Sequence, residues 1–198
     1  MMTEGETNDL LFRISVLNDQ NAFKGVYVKY YSKLIGLCET FIRNKNVCEE
    51  IVDDVLLNLW LNRKSLLKIQ NLTVYLYVAV KNKSLTHLSR EQRRRIMSLE
   101  EITMDIKDVD VSPIEKIAGK EFTQMVNKII LGLPPKSRLI FKLVKDDGLK
   151  YRDVAAILEI SQKTVEYHIG LALKCLAENL PFITDIAFKK TLKIFQVN

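Results

Sequence analysis

From residue 23 to residue 41 the apolar side chains Phe23, Val26, Tyr27, Tyr30, Leu34, Leu37, Cys38 and Phe41 recur at intervals of three and four. That spacing draws one continuous stripe along a helix, the pattern of a face that packs on a core. The same intervals return in the segments that follow. With only seven Gly and four Pro in 198 residues there is little material for hairpin turns. Leu, Ile, Lys and Glu dominate the remainder, so the chain is expected to be all-α. At 47% hydrophobic and 27% charged it can bury one large core or two small ones.

Several classes of function are set aside by what the residues lack. Residues 1–9 are polar and acidic, unlike a secretory leader, and no apolar run approaches the roughly 20 residues that cross a bilayer. A cytoplasmic protein with no direct membrane insertion is expected. Cys38, Cys48 and Cys175 are odd in number and lack metal-ligand spacing, and only His87 and His168 could join them. They read as reduced, mostly buried thiols, with no metal and no cofactor. No nucleophile stands with a base and no Gly-rich loop could cradle a phosphate, so no catalytic residue and no small-molecule substrate are assigned.

The formal charge of +6 is unevenly placed. Lys81, Lys83, Arg90, Arg93, Arg94 and Arg95 form a basic stripe interrupted only by Glu91. Directly after it, Glu100, Glu101, Asp105, Asp108, Asp110 and Glu115 reverse the sign, and apolar periodicity fails in the same stretch. Two small helical domains joined by an acidic linker are therefore expected: residues 1–95, a linker over 96–118, a second domain over 119–180, and a tail over 181–198.

Within the first domain, a helix over residues 47–62 puts Ile51, Val52, Val55, Leu56 and Leu59 on one apolar face. Asp53, Asp54, Leu57 and Leu61 fall opposite. A solvated face does not need two leucines and a buried face does not accept two aspartates, so the mixture suits docking onto a basic partner. The alternative is an acidic solvent face with stray leucines. The next helix, over 72–95, opens with Tyr75, Leu76, Val78 and Ala79 and passes through Asn82 and Lys83 into the basic stripe. Anchored in its first half and cationic in its second, it can lie along phosphates. Tyr75 and Tyr77 either stack on unpaired bases or belong to the core.

The second domain carries the sharpest motif. A helix ends at Leu131-Gly132-Leu133-Pro134-Pro135, and a short one containing Leu139, Ile140, Leu143 and Val144 stops at Asp146-Asp147-Gly148. A helix-turn-helix follows: a helix over 151–158, a turn at Glu159-Ile160-Ser161, and a second helix to about residue 176 with Ser161 as N-cap. Ala155 allows a close crossing, and Ile160 and Val165 plug the space between the helices. Gln162, Lys163, Glu166, Tyr167 and Gly170 face outward. At the start of such a helix Gln suits adenine and Lys suits guanine in the major groove. A helical hairpin that binds nothing is the alternative.

These residues together resemble the extracytoplasmic-function subfamily of sigma-70 type RNA polymerase sigma factors. The run Cys48-Glu49-Glu50-Ile51-Val52-Asp53-Asp54-Val55-Leu56-Leu57-Asn58-Leu59-Trp60 is similar to that family's polymerase-binding helix, normally Ala-Glu-Asp, an apolar pair, Gln-Asp and a terminal Trp. Tyr75-Leu76, Ala79 and Asn82-Lys83-Ser84-Leu85 resemble its promoter-element helix, with Thr86 and Ser89 where the family usually has Asp and Arg. Leu133-Pro134, Arg138, Phe141, Gly148-Leu149, Val154-Ala155, Ile160-Ser161 and Thr164-Val165 with His168 resemble its second domain, with Glu159 where the turn usually carries Gly.

The resemblance implies a sigma factor that binds core RNA polymerase and directs it to promoters; the other reading is a free-standing helix-turn-helix regulator. Polymerase binding falls to Glu50, Asp53, Asp54, Leu57 and Leu61. Promoter DNA falls to Tyr75, Asn82, Lys83, Arg90, Arg93, Arg94 and Arg95 in the first domain, and to Ser161, Gln162, Lys163, Thr164, Glu166 and Tyr167 in the second. An anti-sigma factor is a further partner implied by the family. Two DNA sites one and a half duplex turns apart are separated by roughly 50 Å, and a linker of about 23 residues can reach roughly 75 Å. The linker's acidity suits either a path through a basic polymerase interior or a solvated tether. Beyond Pro181, the spacing of Phe188, Leu192 and Phe195, with Ile186 nearby, predicts a short amphipathic helix. It is expected to dock on the second domain, with a partner helix or a frayed end as alternatives.

Overall fold

The computed structural model describes residues 4–98 and 120–179, and the chain divides into two compact units, Met1–Asp108 and Val109–Asn198. Residues 99–118 of the expected linker and the expected tail helix lie outside the described residues, as do the side chains of Arg94 and Arg95. All regular structure among the described residues is helical, and no described helix is long and apolar enough to cross a membrane.

The first unit contains α1 (Glu4–Ser15), α2 (Gln20–Glu39), α3 (Lys45–Leu61), a 3₁₀ turn (Arg63–Lys68) and α4 (Leu72–Ser98). Helix α1 is absent from the sequence expectation, which starts the first helix at Phe23. Only Leu11 and Ile14 are buried from α1, too short a pattern to stand out in a polar segment. Together with buried Leu66 of the 3₁₀ turn they seat α1 on the domain. Helix α2 starts three residues earlier than expected because Asp19 caps it, accepting from the amides of Asn21 and Ala22 at 2.8 and 3.1 Å. Arg13 holds that carboxylate from α1 at 2.7 Å. These bonds keep the Asp19 carboxyl below the usual carboxylate range, the Ala22 amide foremost and the guanidinium next.

The α2 stripe is buried at Val26, Tyr30, Leu34, Leu37 and Cys38, while Phe23 and Tyr27 at its margin are only half-buried and Phe41 lies beyond the helix. The helix stops at Glu39, so the period breaks and Ile42 enters the core in place of Phe41. Helix α3 buries Ile51, Val52, Val55, Leu56 and Leu59, the face its spacing predicts. Asn44 caps it through the amides of Asn46 and Val47.

The second unit contains α5 (Lys120–Leu131), α6 (Pro135–Phe141), a π-helical turn (Lys142–Asp146), α7 (Tyr151–Leu158) and α8 (Gln162–Asn179). The Arg138 guanidinium donates to the carbonyls of Leu131 and Leu133, satisfying groups that the end of α5 leaves open. The short helix expected to run to Asp146 loosens after Phe141 into the π turn, and Gly148, at φ 72°, ends it. Lys142 closes this turn on the buried Asp147 carboxylate at 3.0 and 3.1 Å.

Glu159 ends α7 in the left-handed region, at φ 57° and ψ 46°, while the Ile160 amide donates back to the Ala155 carbonyl at 3.0 Å. This is the position where a Gly is usual, and the backbone takes the glycine conformation regardless. A left-handed residue with a Cβ costs roughly 1–2 kcal/mol, of which glycine returns part as chain entropy. Glu159→Gly is therefore expected to stabilise the second unit by about 0.5–1 kcal/mol, read as a rise in its thermal midpoint. A lowered midpoint would mean that the Glu159 side chain compensates for its own strain.

Candidate partner and nucleic-acid interfaces

The face of α3 opposite the core is exposed as expected: Glu50, Asp53, Asp54, Leu57 and Leu61 all reach solvent, the two leucines at 55% and 61%. Four residues apart on one face, the two leucines form a single exposed apolar pair. The aspartates are not isolated, however. Tyr27 of α2 donates its hydroxyl to Asp53 Oδ1 at 3.0 Å, and Lys83 of α4 reaches Asp54 Oδ2 at 2.9 Å. These partners lie 26 and 29 residues away in the chain, beyond the reach of local periodicity.

Helix α4 is one continuous helix, and its exposed positions are more selective than its charge count. Tyr75, at 42% exposure, Asn82, Thr86, Ser89 and Arg93 recur at seven, four, three and four residues and so share one exposed stripe, with Arg90 at its edge. Two residues of the sequence reading do not belong to it. Tyr77 is fully enclosed in the core and cannot stack on a base, because its position on the helix turns it inward beside Leu76 and Val80. Lys81 is buried at 8% exposure for the same reason and drops out of the basic stripe. Lys83 remains half-exposed but is engaged with Asp54. The hydroxyls of Thr86 and Ser89 bond back to the carbonyls of Asn82 and Leu85 at 2.8 and 3.0 Å, so the stripe is polar and uncharged at its centre.

In the helix-turn-helix, Val165, Ile169, Ala172 and Leu176 turn inward from α8. Val165 is fully buried, whereas Ile160 is only half-buried and so plugs less of the space than its spacing suggests. Ser161 accepts from the Thr164 amide at 3.1 Å and so caps α8, and a hydroxyl bond with the Thr164 side chain at 2.9 Å steadies the cap. Gln162, Lys163, Glu166 and Tyr167 are exposed along its outer face, Tyr167 at 63%. Behind them His168 Nδ1 bonds the buried Ser137 hydroxyl at 2.9 Å, tying α8 to α6. Partial burial and the neighbouring Lys136 push the His168 imidazole below its ordinary value, as suits a structural bond between neutral groups.

Among known proteins, the family described as Sigma-70, region 4 matches residues 123–176. The chain is 23% identical over 190 residues to the RNA polymerase sigma-H factor of Pseudomonas aeruginosa, covering 91% of this chain and 96% of that protein. It is 24% identical over 169 residues to the ECF RNA polymerase sigma factor SigW of Bacillus subtilis, covering 82% and 90%. Among solved structures, the sigma factor RpoE in complex with the anti-sigma factor NepR from Bartonella quintana matches with a TM-score of 0.59 at 21% identity, over 81% of this chain and 98% of that one. CnrH in complex with the cytosolic domain of CnrY matches with a TM-score of 0.55 at 20% identity, over 90% and 99%.

Proposed function

We infer that this chain is a sigma factor of the extracytoplasmic-function subfamily of the sigma-70 class, so its work is to bind core RNA polymerase and bring it to particular promoters. The observation that carries this reading is the exposed acid-and-leucine face of α3 in the same chain as an exposed α8. A free-standing regulator has use for α8 alone.

On this reading Glu50, Asp53, Asp54, Leu57 and Leu61 meet a basic, partly apolar surface of the polymerase. Charge complementarity steers the encounter and the leucines supply buried area. Tyr75, Asn82, Arg90, Arg93, Arg94 and Arg95 follow the promoter strand along α4. Tyr75 is placed to stack on an unpaired base, a contact worth roughly 1–3 kcal/mol. Gln162 and Lys163 read base edges of the duplex farther upstream, with Glu166 and Tyr167 beside them, while Ser161 and Thr164 present the start of α8 to a phosphate. Catalysis belongs to the polymerase, and the chain supplies only recognition. A protein that covers these surfaces would silence it, and an anti-sigma factor like that bound to the structural neighbour RpoE is the partner we assign to that role.

The test is transcription by purified core polymerase from a promoter library, with and without this chain. Transcripts from a discrete set of start sites, obtained with this chain as the sole added factor, are the expected result. A chain that acts only when another sigma factor is supplied would be a regulator, and the inference would fall.

A further inference from the structure

We propose that Tyr27 of α2 is a positioning residue for polymerase docking: it orients the Asp53 carboxylate, and the Tyr27–Tyr31 pair extends the docking surface from α3 onto α2. This rests on the reading of α3 as the polymerase-binding helix.

The two aspartates of the α3 face are held in opposite ways. Asp54 pairs with the Lys83 ammonium, which cancels much of its charge. Asp53 receives a neutral donor, the Tyr27 hydroxyl, at 3.0 Å on Oδ1. A neutral hydrogen bond fixes the direction of a carboxylate without cancelling its charge, so Asp53 offers a basic partner a stronger anion than Asp54 does. The Tyr27 ring is itself held by a stacked contact with Tyr31, with centroids 4.9 Å apart and planes inclined by 18°. Desolvation, then the bond to Asp53, raises the Tyr27 phenol above its ordinary value, so it remains a donor throughout the neutral range. Desolvation and Asp53 raise Tyr31 in the same sense. Both rings are half-buried; Tyr27 reaches the carboxylate through its hydroxyl, and Tyr31 stands stacked behind it. A guanidinium that pairs with Asp53 approaches the stacked tyrosine pair as well, a setting in which arginine is preferred to lysine.

The experiment is a double-mutant cycle on the full chain, with affinity for purified core polymerase and thermal midpoint both measured. Tyr27→Phe is expected to weaken binding about 3- to 10-fold, the worth of one orienting hydrogen bond, with the midpoint unchanged. In an Asp53→Ala background the same change should have no further effect, because the group that Tyr27 orients is gone. Tyr31→Leu, which removes the ring that holds Tyr27, should weaken binding about 3-fold and show the same dependence on Asp53. Equal losses from Tyr27→Phe with and without Asp53 would overturn the positioning role, as would wild-type affinity in Tyr27→Phe when Asp53→Ala binds weakly. Wild-type affinity in Asp53→Ala would instead bring down the docking role of α3, and this proposal with it.

Discussion

Replacing Asp53 by Lys and Leu57 by Ala together is expected to abolish association with core polymerase, by at least about 100-fold, while the unfolding midpoint stays within a few degrees of the parent chain. The magnitude follows from the two kinds of interaction removed. Reversing Asp53 sets a cation against a basic surface, a juxtaposition that costs several kcal/mol, and each 1.4 kcal/mol is a factor of about ten. Truncating Leu57 removes apolar area from the docked face, about 1 kcal/mol or more where the partner covers it. Neither side chain belongs to the core: Leu57 is 55% exposed, and Asp53 lies on the solvent side of α3, where its substitution releases the Tyr27 hydroxyl to water. Co-purification of the double variant with polymerase at parental yield would remove the docking hypothesis.

The second large effect concerns DNA. Neutralising Arg93, Arg94 and Arg95 to Gln in the polymerase-bound chain is expected to weaken promoter binding roughly 30- to 100-fold at moderate salt. It should also flatten the dependence of log affinity on log salt by about 2 to 3 units, because each phosphate contact removed releases about 0.7–0.9 of a counterion fewer. The weakening should be uniform across sequences, since phosphates carry no base identity. Substitutions at Gln162 or Lys163 should do the opposite, leaving the salt slope nearly unchanged and shifting preference at one or two upstream bases by about 1–3 kcal/mol each. Arginine variants that alter sequence preference, together with α8 variants that do not, would show that the two surfaces have been assigned backwards. Of the three arginines, Arg93 is seen exposed on the α4 stripe; Arg94 and Arg95 enter on their place in the sequence alone.

Much of this molecule is readable along the chain because its helices obey local rules. The buried face of α3 and the inward line of α8 follow from a 3.6-residue period, which the sequence displays directly. The turn of the helix-turn-helix is likewise local, since Ser161 caps α8 through a residue three positions away. Even the exposed mixture of Asp53, Asp54, Leu57 and Leu61 needs only the helical wheel.

What the chain order conceals is whatever depends on a second element. Helix α1 buries just two large side chains, so its existence is settled by the 3₁₀ turn it packs on and by Asp19, which its Arg13 grips, not by its own period. Tyr77 and Lys81 have the composition of a nucleic-acid surface, yet α4 packs on both α2 and α3, and that wide interface takes them inside. Phe41 drops out of its stripe at a helix end that no period announces. The sequence by itself determined the helical character of the described residues, the core face of α3, the helix-turn-helix and the exposed acid-and-leucine mixture, because each depends on residues three or four apart. Only the tertiary structure decided that Tyr27 holds Asp53, that Lys83 is engaged with Asp54, and that Glu159 bears a left-handed turn. Hydrogen bonds between residues 26 and 29 positions apart, and a left-handed angle taken by a residue with a side chain, leave no periodic trace in the chain.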